Sequence, residues 1–236
     1  MEKIDIESVR AVYESIEEVW PEDNLWLQHT RKNIEQYIAR QSFCSNSNIL
    51  NAGSGGNTYG LANRMHHVDI AKNLIEHFSN YTVANIEKLP FESHLFSDVI
   101  CVGSVLNYCE PFPAISELSR VLQKGGRLIL EFDSSWSLEH MHTERHRKSV
   151  ASVELNYQSN ITTQWVFSPM HIKAILLQMG FNVVDTYKFH YLSGLHYGKH
   201  KNDNAAAAYA RFDAMCRRIP VLHKYSGNVI FTCLKS

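Results

Sequence analysis

Seven short apolar runs, separated by stretches of helical periodicity, set the frame for what this chain can fold into. They are "NILNA" at 48–52, "HHVDI" at 66–70, a run near 81–85, "SDVICVGSV" at 97–105, "RLILEF" at 127–132, "FNVVDTYKF" at 181–189 and "GNVIFTCLK" at 227–235. The run at 97–105 is apolar at nearly every position, as a strand buried on both faces must be. Between the runs, Ile115, Leu118, Val121 and Leu122 recur at helical spacing behind Pro113, and Ile172, Ile175, Leu176 and Met179 behind Ser168 and Pro169. Strand and helix in alternation imply a parallel sheet covered by helices. Further helices are expected at about 5–20 and 24–41, from about 57, through Leu74, Ile75 and Phe78, and from Asn204 with Tyr209, Phe212, Cys216 and Ile219 on one side.

At 236 residues the chain can bury one sizeable α/β core. We read it as a single domain over 1–236, with an N-terminal helical lid at about 1–41 and cap segments inserted at about 134–164 and 190–226. Lys and Arg total 23 against 24 Asp and Glu, so no general charge draws the chain to nucleic acid or to an anionic membrane. No apolar run reaches the roughly 20 residues that span a bilayer, and five scattered cysteines form no CxxC pair. The expectation is a reduced, cytoplasmic protein, monomeric or a homodimer, with a small-molecule partner and no nucleic acid. His142 and His146 in "EHMHTERH" would share a face if that stretch were helical, but the order is not HExxH, and a solvated polar segment is the reading adopted, with no metal.

The first strand runs into "ILNAGSGGNTYG", which carries Gly53, Gly55 and Gly56. A glycine turn at the C-terminal edge of such a sheet lets backbone approach a ligand. Downstream, Asp69 ends the second strand, where a carboxylate can accept hydrogen bonds from ribose hydroxyls, although an Asp there can also start the next helix.

The ordered set "ILNAGSGGNTYG", "HHVDI", "VANIEKLPFESHLFSDVICVGSVLNY" and "ISELSRVLQKGGRLIL" resembles the class I S-adenosylmethionine-dependent methyltransferases, in particular the small-molecule type with a "GDAEKLPF" segment. The fold this implies is a Rossmann-like, doubly wound α/β sheet of seven mostly parallel strands, with helices on both faces and an antiparallel C-terminal strand. It also implies S-adenosyl-L-methionine as cofactor. Gly53, Ser54 and Gly55 would then bracket its methionine part, Asp69 its ribose, and Ile70, Asn85 and Ile86 its adenine, with Gly103 and Ser104 behind the methionine. Core packing is the alternative for Ile70 and Ile86. Two residues depart from the family: Asn51 and Asn85 stand where acids are usual. A neutral acceptor at 51 would hold the cofactor ammonium less strongly, whereas an amide at 85 can both accept from and donate to adenine.

The reaction implied is in-line methyl transfer to a small-molecule acceptor, in which positioning supplies much of the rate. A base is needed only for an acceptor that must lose a proton. Candidates are Asn107, Tyr108 and Glu110 in "NYCE", Asp133 with Trp136, and His190, Tyr191, His196, Tyr197 and His200 in "FHYLSGLHYGKH", with His196 the one named. Tyr13, Trp20 and Trp26 would cover the cofactor, or simply pack. No Asp, Asp, Asn metal set of the catechol type is present, and "GSVLNY" stands where a nucleic-acid methylase has an NPPY-like motif. Two alternatives stay open: a catalytically silent protein that binds S-adenosylmethionine or S-adenosylhomocysteine, and a nicotinamide-dependent oxidoreductase, which the region 81–130 does not fit.

Overall fold

The computed structural model describes residues 4–61, 64–200 and 202–236. Its main sheet contains β1 (Ile49–Ala52), β2 (Met65–Asp69), β3 (Tyr81–Val83), β4 (Phe96–Cys101), β5 (Leu122–Asp133), β8 (Phe181–Phe189) and β9 (Asn228–Lys235), in the order β3-β2-β1-β4-β5-β9-β8. The first five strands are parallel, and β9 inserts antiparallel between β5 and β8. The strands expected from the apolar runs are all present, and the fold is the mostly parallel α/β sheet that the sequence implied. The reversed β9 separates it from the all-parallel order of a dinucleotide-binding sheet.

Alternation along each strand divides the interior into two cores. Leu50, Val99, Leu128, Leu130, Phe132, Val229 and Phe231 face the side covered by α3 (Pro111–Val121) and α4 (Pro169–Gln178). Ile49, Ile100, Ile129 and Ile230 face the other side, where α2 (Leu25–Ala39) contributes Ile34, Tyr37 and Ile38. Each such side chain stabilises the fold by about 1.5–3 kcal/mol relative to exposure. The amide of Asn24 caps α2 through the Leu27 N–H, so the helix starts where its apolar stripe begins. α1 (Ile6–Glu14) buries only Val9, and the segment after it crosses the C-terminal edge of the sheet.

Two additions rise from that edge. β6 (Val150–Tyr157) and β7 (Asn160–Phe167) form a separate hairpin closed by Gln158 and Ser159, both left-handed, the geometry of a two-residue turn that matches strand twist. After β8 come α5 (Leu192–His200), α6 (Asp203–Tyr209) and α7 (Asp213–Arg218).

Three expected helices are corrected. Residues 57–61 form turns, because Asn57 and Gly60 resist helix formation and the Asn51 amide donates to the Asn57 carbonyl (2.7 Å). The stretch through Leu74, Ile75 and Phe78 yields only a 3-10 turn at Lys72–Leu74, too short to nucleate further. The helix expected from Asn204 is broken into α6, a 3-10 turn and α7. Its intended apolar side is largely exposed at Tyr209, Phe212 and Ile219, with Cys216 buried.

Candidate active site

At the C-terminal edge of the sheet the loop after β1 folds back on β2, where the Gly53 and Ser54 N–H groups both donate to the Val68 carbonyl (2.8 and 2.9 Å). Two of its glycines are demanded by the protein itself. A Cβ on Gly53 (φ +71°) would lie 2.3 Å from Val105, and one on Gly56 (φ +79°) would lie 2.9 Å from the Leu74 carbonyl oxygen. The loop is therefore pinned between its neighbours before any ligand arrives.

Above it opens a cleft of about 640 Å³ including its mouth, large enough for a nucleoside-sized ligand. Gly53, Ser54, Gly55, Asp69, Ile70, Asn85, Ile86 and Gly103 all line it, so eight of the ten residues proposed for the cofactor converge on one space. Asp69, at the end of β2, accepts from Gly55 N–H (2.8 Å) and Ala71 N–H (3.0 Å) through different oxygens. A carboxylate offers about four lone-pair sites, so with the Ile70 N–H also bearing on it Asp69 keeps room for a further donor. Burial raises the Asp69 pKa, while the backbone donors pull the other way. Asn85 caps its own turn by accepting from Glu87 N–H (2.9 Å), which leaves its amide hydrogens for an adenine ring nitrogen.

Asn51 and Ser104 do not line this cleft. Asn51 is 1% exposed and points into the loop, donating to Ser54 Oγ (3.2 Å) and to the Asn57 carbonyl. An acid could not make that second bond, so the amide at 51 braces the glycine loop. Ser54 Oγ is also engaged by His67 Nδ1 (2.7 Å), a ring stacked on Phe78 and pushed down to about 4 by burial, hence neutral. The loop offers the cleft its backbone, with the serine hydroxyl turned inward.

Ser104 borders a second, larger cavity of about 1960 Å³, open to solvent, which adjoins the first along Tyr13, Val19, Trp20, Gly103 and Tyr108. Its floor is a network that the sequence reading missed. Glu131, 0% exposed near the C-terminal end of β5, accepts from Gly103 N–H (2.9 Å) and Ser104 N–H (2.6 Å) through one oxygen and from the Asn228 amide (2.6 Å) through the other. The same Asn228 nitrogen donates to Asp133 (2.6 Å), which also accepts from Ser104 Oγ (3.0 Å) and Gln164 Nε2 (2.7 Å). Burial pushes Glu131 up to about 8, helped by the neighbouring Asp133, and pushes Asp133 up to about 6 against its hydrogen bonds. The available signal was the acid inside "RLILEF": an ionisable residue on an apolar strand needs buried partners.

The N-terminal segment roofs both spaces. Tyr157 OH on the hairpin donates to the Val19 carbonyl (2.6 Å), and the Gln158 amide to that of Glu18 (2.8 Å). Tyr13 packs edge-on to Tyr108 and against Tyr157, at centroid distances of 5.8 and 5.7 Å. Trp26 stands deeper in the second cavity, stacked on His190 and Tyr197.

His196 lines neither cavity: it stacks on Tyr209 (4.4 Å) and His200 (4.5 Å) on the outer side of α5. Its neighbour in the same motif, His190, does reach the second cavity, held by Thr30 Oγ1 (2.8 Å) and Ser193 Oγ (3.1 Å) and kept far below its ordinary pKa by burial. Ser193 Oγ donates to Asp213 and so accepts from His190 Nδ1–H, while Thr30 Oγ1, which donates to the Trp26 carbonyl (3.1 Å), lies against Nε2. Donor atoms of His29, His190 and Asp213 lie within 4.8 Å of one another, the only such group among the described residues. Each is already hydrogen-bonded, His29 to the Asn33 amide and the other two through Ser193, so the network is complete without an ion. His142 and His146 do not share a helix, because the only helical turn there is Leu138–His140.

Residues 50–130 match the family described as "Methyltransferase domain". That segment is the parallel half of the sheet with the glycine loop and Asp69. Over 69 residues, 27% of this chain and 26% of the relative, the sequence is 39% identical to a malonyl-[acyl-carrier protein] O-methyltransferase of Herminiimonas arsenicoxydans. Across the curated relatives it matches, the chain spans between about a quarter and about half of their length. In structure it is similar to geranyl diphosphate C-methyltransferase from Streptomyces coelicolor A3(2), with a TM-score of 0.64, 10% identity, and 98% and 97% of the two chains covered. It is also similar to the [4+2]-cyclase SpnF, with a TM-score of 0.57, 15% identity, and 98% and 92% covered. At such identities the likeness establishes a shared fold, and chemistry is argued from the site.

Proposed function

We propose that this protein is an S-adenosyl-L-methionine-dependent methyltransferase of the small-molecule type. The observation that carries the reading is the convergence of Gly53, Gly55, Asp69, Asn85 and Gly103 on one cleft, inside the segment that matches the methyltransferase family. The cleft fits a nucleoside with an amino-acid arm: a buried carboxylate with room for a further donor, apolar Ile70, Ala84 and Ile86 beside Asn85, and backbone of the glycine loop at the other end. Bound there, the cofactor supplies an electrophilic methyl group. The protein's own part is to orient the acceptor in the second cavity and to exclude water with the roof of Tyr13, Val19 and Trp20. Trp20 is 8% exposed and its indole N–H has no partner, which leaves a donor on the wall between the two cavities.

Calorimetric titration with S-adenosylhomocysteine tests the cofactor. Binding in the micromolar range, about -8 kcal/mol, is expected for the wild type, with at least a hundredfold loss in Asp69→Ala. Tight binding of NAD in preference to S-adenosylhomocysteine would overturn the reading. Because a [4+2]-cyclase shares the fold, transfer of labelled methyl to an acceptor must accompany the titration, and binding with no turnover on any acceptor would leave a silent binding protein.

A further inference from the structure

Charge on the wall of the second cavity is one-sided. Asp133, Glu139, Glu154 and Asp203 line it, and among the described residues that do so there is no Lys or Arg. Of its two histidines, His190 is kept neutral by burial. A formal charge of -1 for the whole chain gives no reason for this local excess among the described residues. Carboxylates grouped on a low-dielectric wall focus a negative potential into the cavity and repel anions from it.

The junction with the cofactor cleft adds a second feature. Tyr13, Trp20 and Tyr108 border both cavities, and Tyr157 borders the second. Burial raises the pKa of all three tyrosines, which therefore stay neutral and present π faces together with Trp20. Such faces attract cations, Trp most strongly. Asp133 stands on the same wall with three of its lone pairs occupied, by Ser104, Asn228 and Gln164, and one left over.

From this arrangement we infer that the second cavity binds a cation, so that the methyl acceptor is a basic amine: aromatic rings hold its nitrogen at the junction, Asp133 accepts from its N–H, and Glu139, Glu154 and Asp203 draw it in. This rests on the methyltransferase reading above. Methylation would form one N–C bond and break one S–C bond, whose electron pair stays on sulfur. The bound ammonium has no lone pair, so this follows transfer of one N–H proton to Asp133 on the cavity wall, which frees the nitrogen to attack. A carboxylate, phosphate or diphosphate acceptor would meet like charge at every approach.

The test uses three indoles of similar size and different charge: tryptamine, tryptophol and indole-3-propionate. Each is titrated calorimetrically into the protein loaded with S-adenosylhomocysteine. The cation should bind about tenfold or more tighter than the neutral and anionic probes. Raising salt from roughly 50 to roughly 500 mM should weaken the cation several-fold and leave tryptophol unchanged. Asp133→Asn, checked for folding by its circular dichroism and its S-adenosylhomocysteine affinity, should lose most of the preference. Glu154→Gln, exposed on β6 and outside the buried network, should lose about twofold and guards against a misfolded Asp133 variant. Equal affinities, preference for indole-3-propionate, or no binding of the cation at millimolar concentration would overturn the inference. Failure of S-adenosylhomocysteine to bind would overturn the methyltransferase reading instead, and the cation preference would then be read on the protein alone.

Discussion

The two cavities meet along one wall and are built by opposite means. The first cleft is made of strand ends and the turns that follow them, with Asp69 the one carboxylate among the described residues that line it. The second cavity is walled by the N-terminal segment, the β6–β7 hairpin and the segments after β5 and β8, and its character comes from side chains. Strand ends are fixed by the hydrogen bonds and packing of the whole sheet, so the first site is held by the fold itself. The second is built on additions that can vary while the sheet stays the same. The Glu131–Asn228–Asp133 network beneath Gly103 and Ser104 lies on the sheet side of the shared wall and reaches the hairpin through Gln164, which donates to Asp133.

The sharpest way to break this division is to remove that network. Glu131→Ala leaves the Gly103 and Ser104 N–H groups and the Asn228 amide without their partner in a fully buried place. Each buried orphan costs about 1–3 kcal/mol, so a loss of about 3–5 kcal/mol is expected in urea unfolding. Both ligands should weaken together in that variant; loss of only one would show that the cavities are not coupled through this network. Glu131→Gln keeps an acceptor and should cost less, and it isolates the ionisation. The Glu131 carboxyl titrates near 8 when folded, above its unfolded value. Its contribution to stability is therefore complete below the unfolded pKa and lost as pH rises through about 8. From pH 5 to 8, wild-type stability should fall relative to Glu131→Gln by up to about 1.4 kcal/mol per pH unit. A parallel pair of pH curves would mean that Glu131 is already ionised in the folded protein.

How much of this was legible in the sequence follows the same boundary. The strands could be read because each is a short apolar run buried on two faces, and because β1, the glycine loop and Asp69 come in an order that only one kind of sheet edge uses. Crossover helices after β1 and β2 could not be read correctly: apolar residues such as Leu74 and Ile75 mark burial, and burial does not say whether a turn or a helix delivers it. The second cavity was legible only as residues without an address. Asp133, His190 and His196 were all candidates from composition, and nothing in their spacing showed that the first two face a cavity while the third lies outside it. Asn228 and Gln164 carried no signal, because an amide gains its meaning from the acid it meets across the fold.

Asn51 sharpens the comparison from the cofactor side. Restoring the acid usual in the family should hurt rather than help, because Asn51→Asp sets a carboxylate against the Asn57 carbonyl that the amide now satisfies. We expect a loss of about 1–3 kcal/mol in stability and a weaker affinity for S-adenosylhomocysteine as the loop loosens. Calorimetry on the variant decides it: tighter binding would show that position 51 reaches the ligand after all and that the loop re-forms around it.

The smallest effect is expected at His196, and it bears on the outer limit of the second cavity. The ring packs between Tyr209 and His200, and its Nδ1 is buried with no hydrogen-bond partner. Replacing it by Phe keeps the stacking and removes a polar atom that gains nothing where it is. His196→Phe should therefore change stability by about 0.5 kcal/mol or less, and should leave both cation binding and methyl transfer as in the wild type. His190, six residues earlier in the same motif, offers the contrast, since its loss unpairs Thr30 and Ser193 at once. If His196→Phe abolished transfer while S-adenosylhomocysteine still bound, α5 would have to turn its outer face toward the acceptor during the reaction. The wall that carries Asp133 would then be only half of the acceptor site.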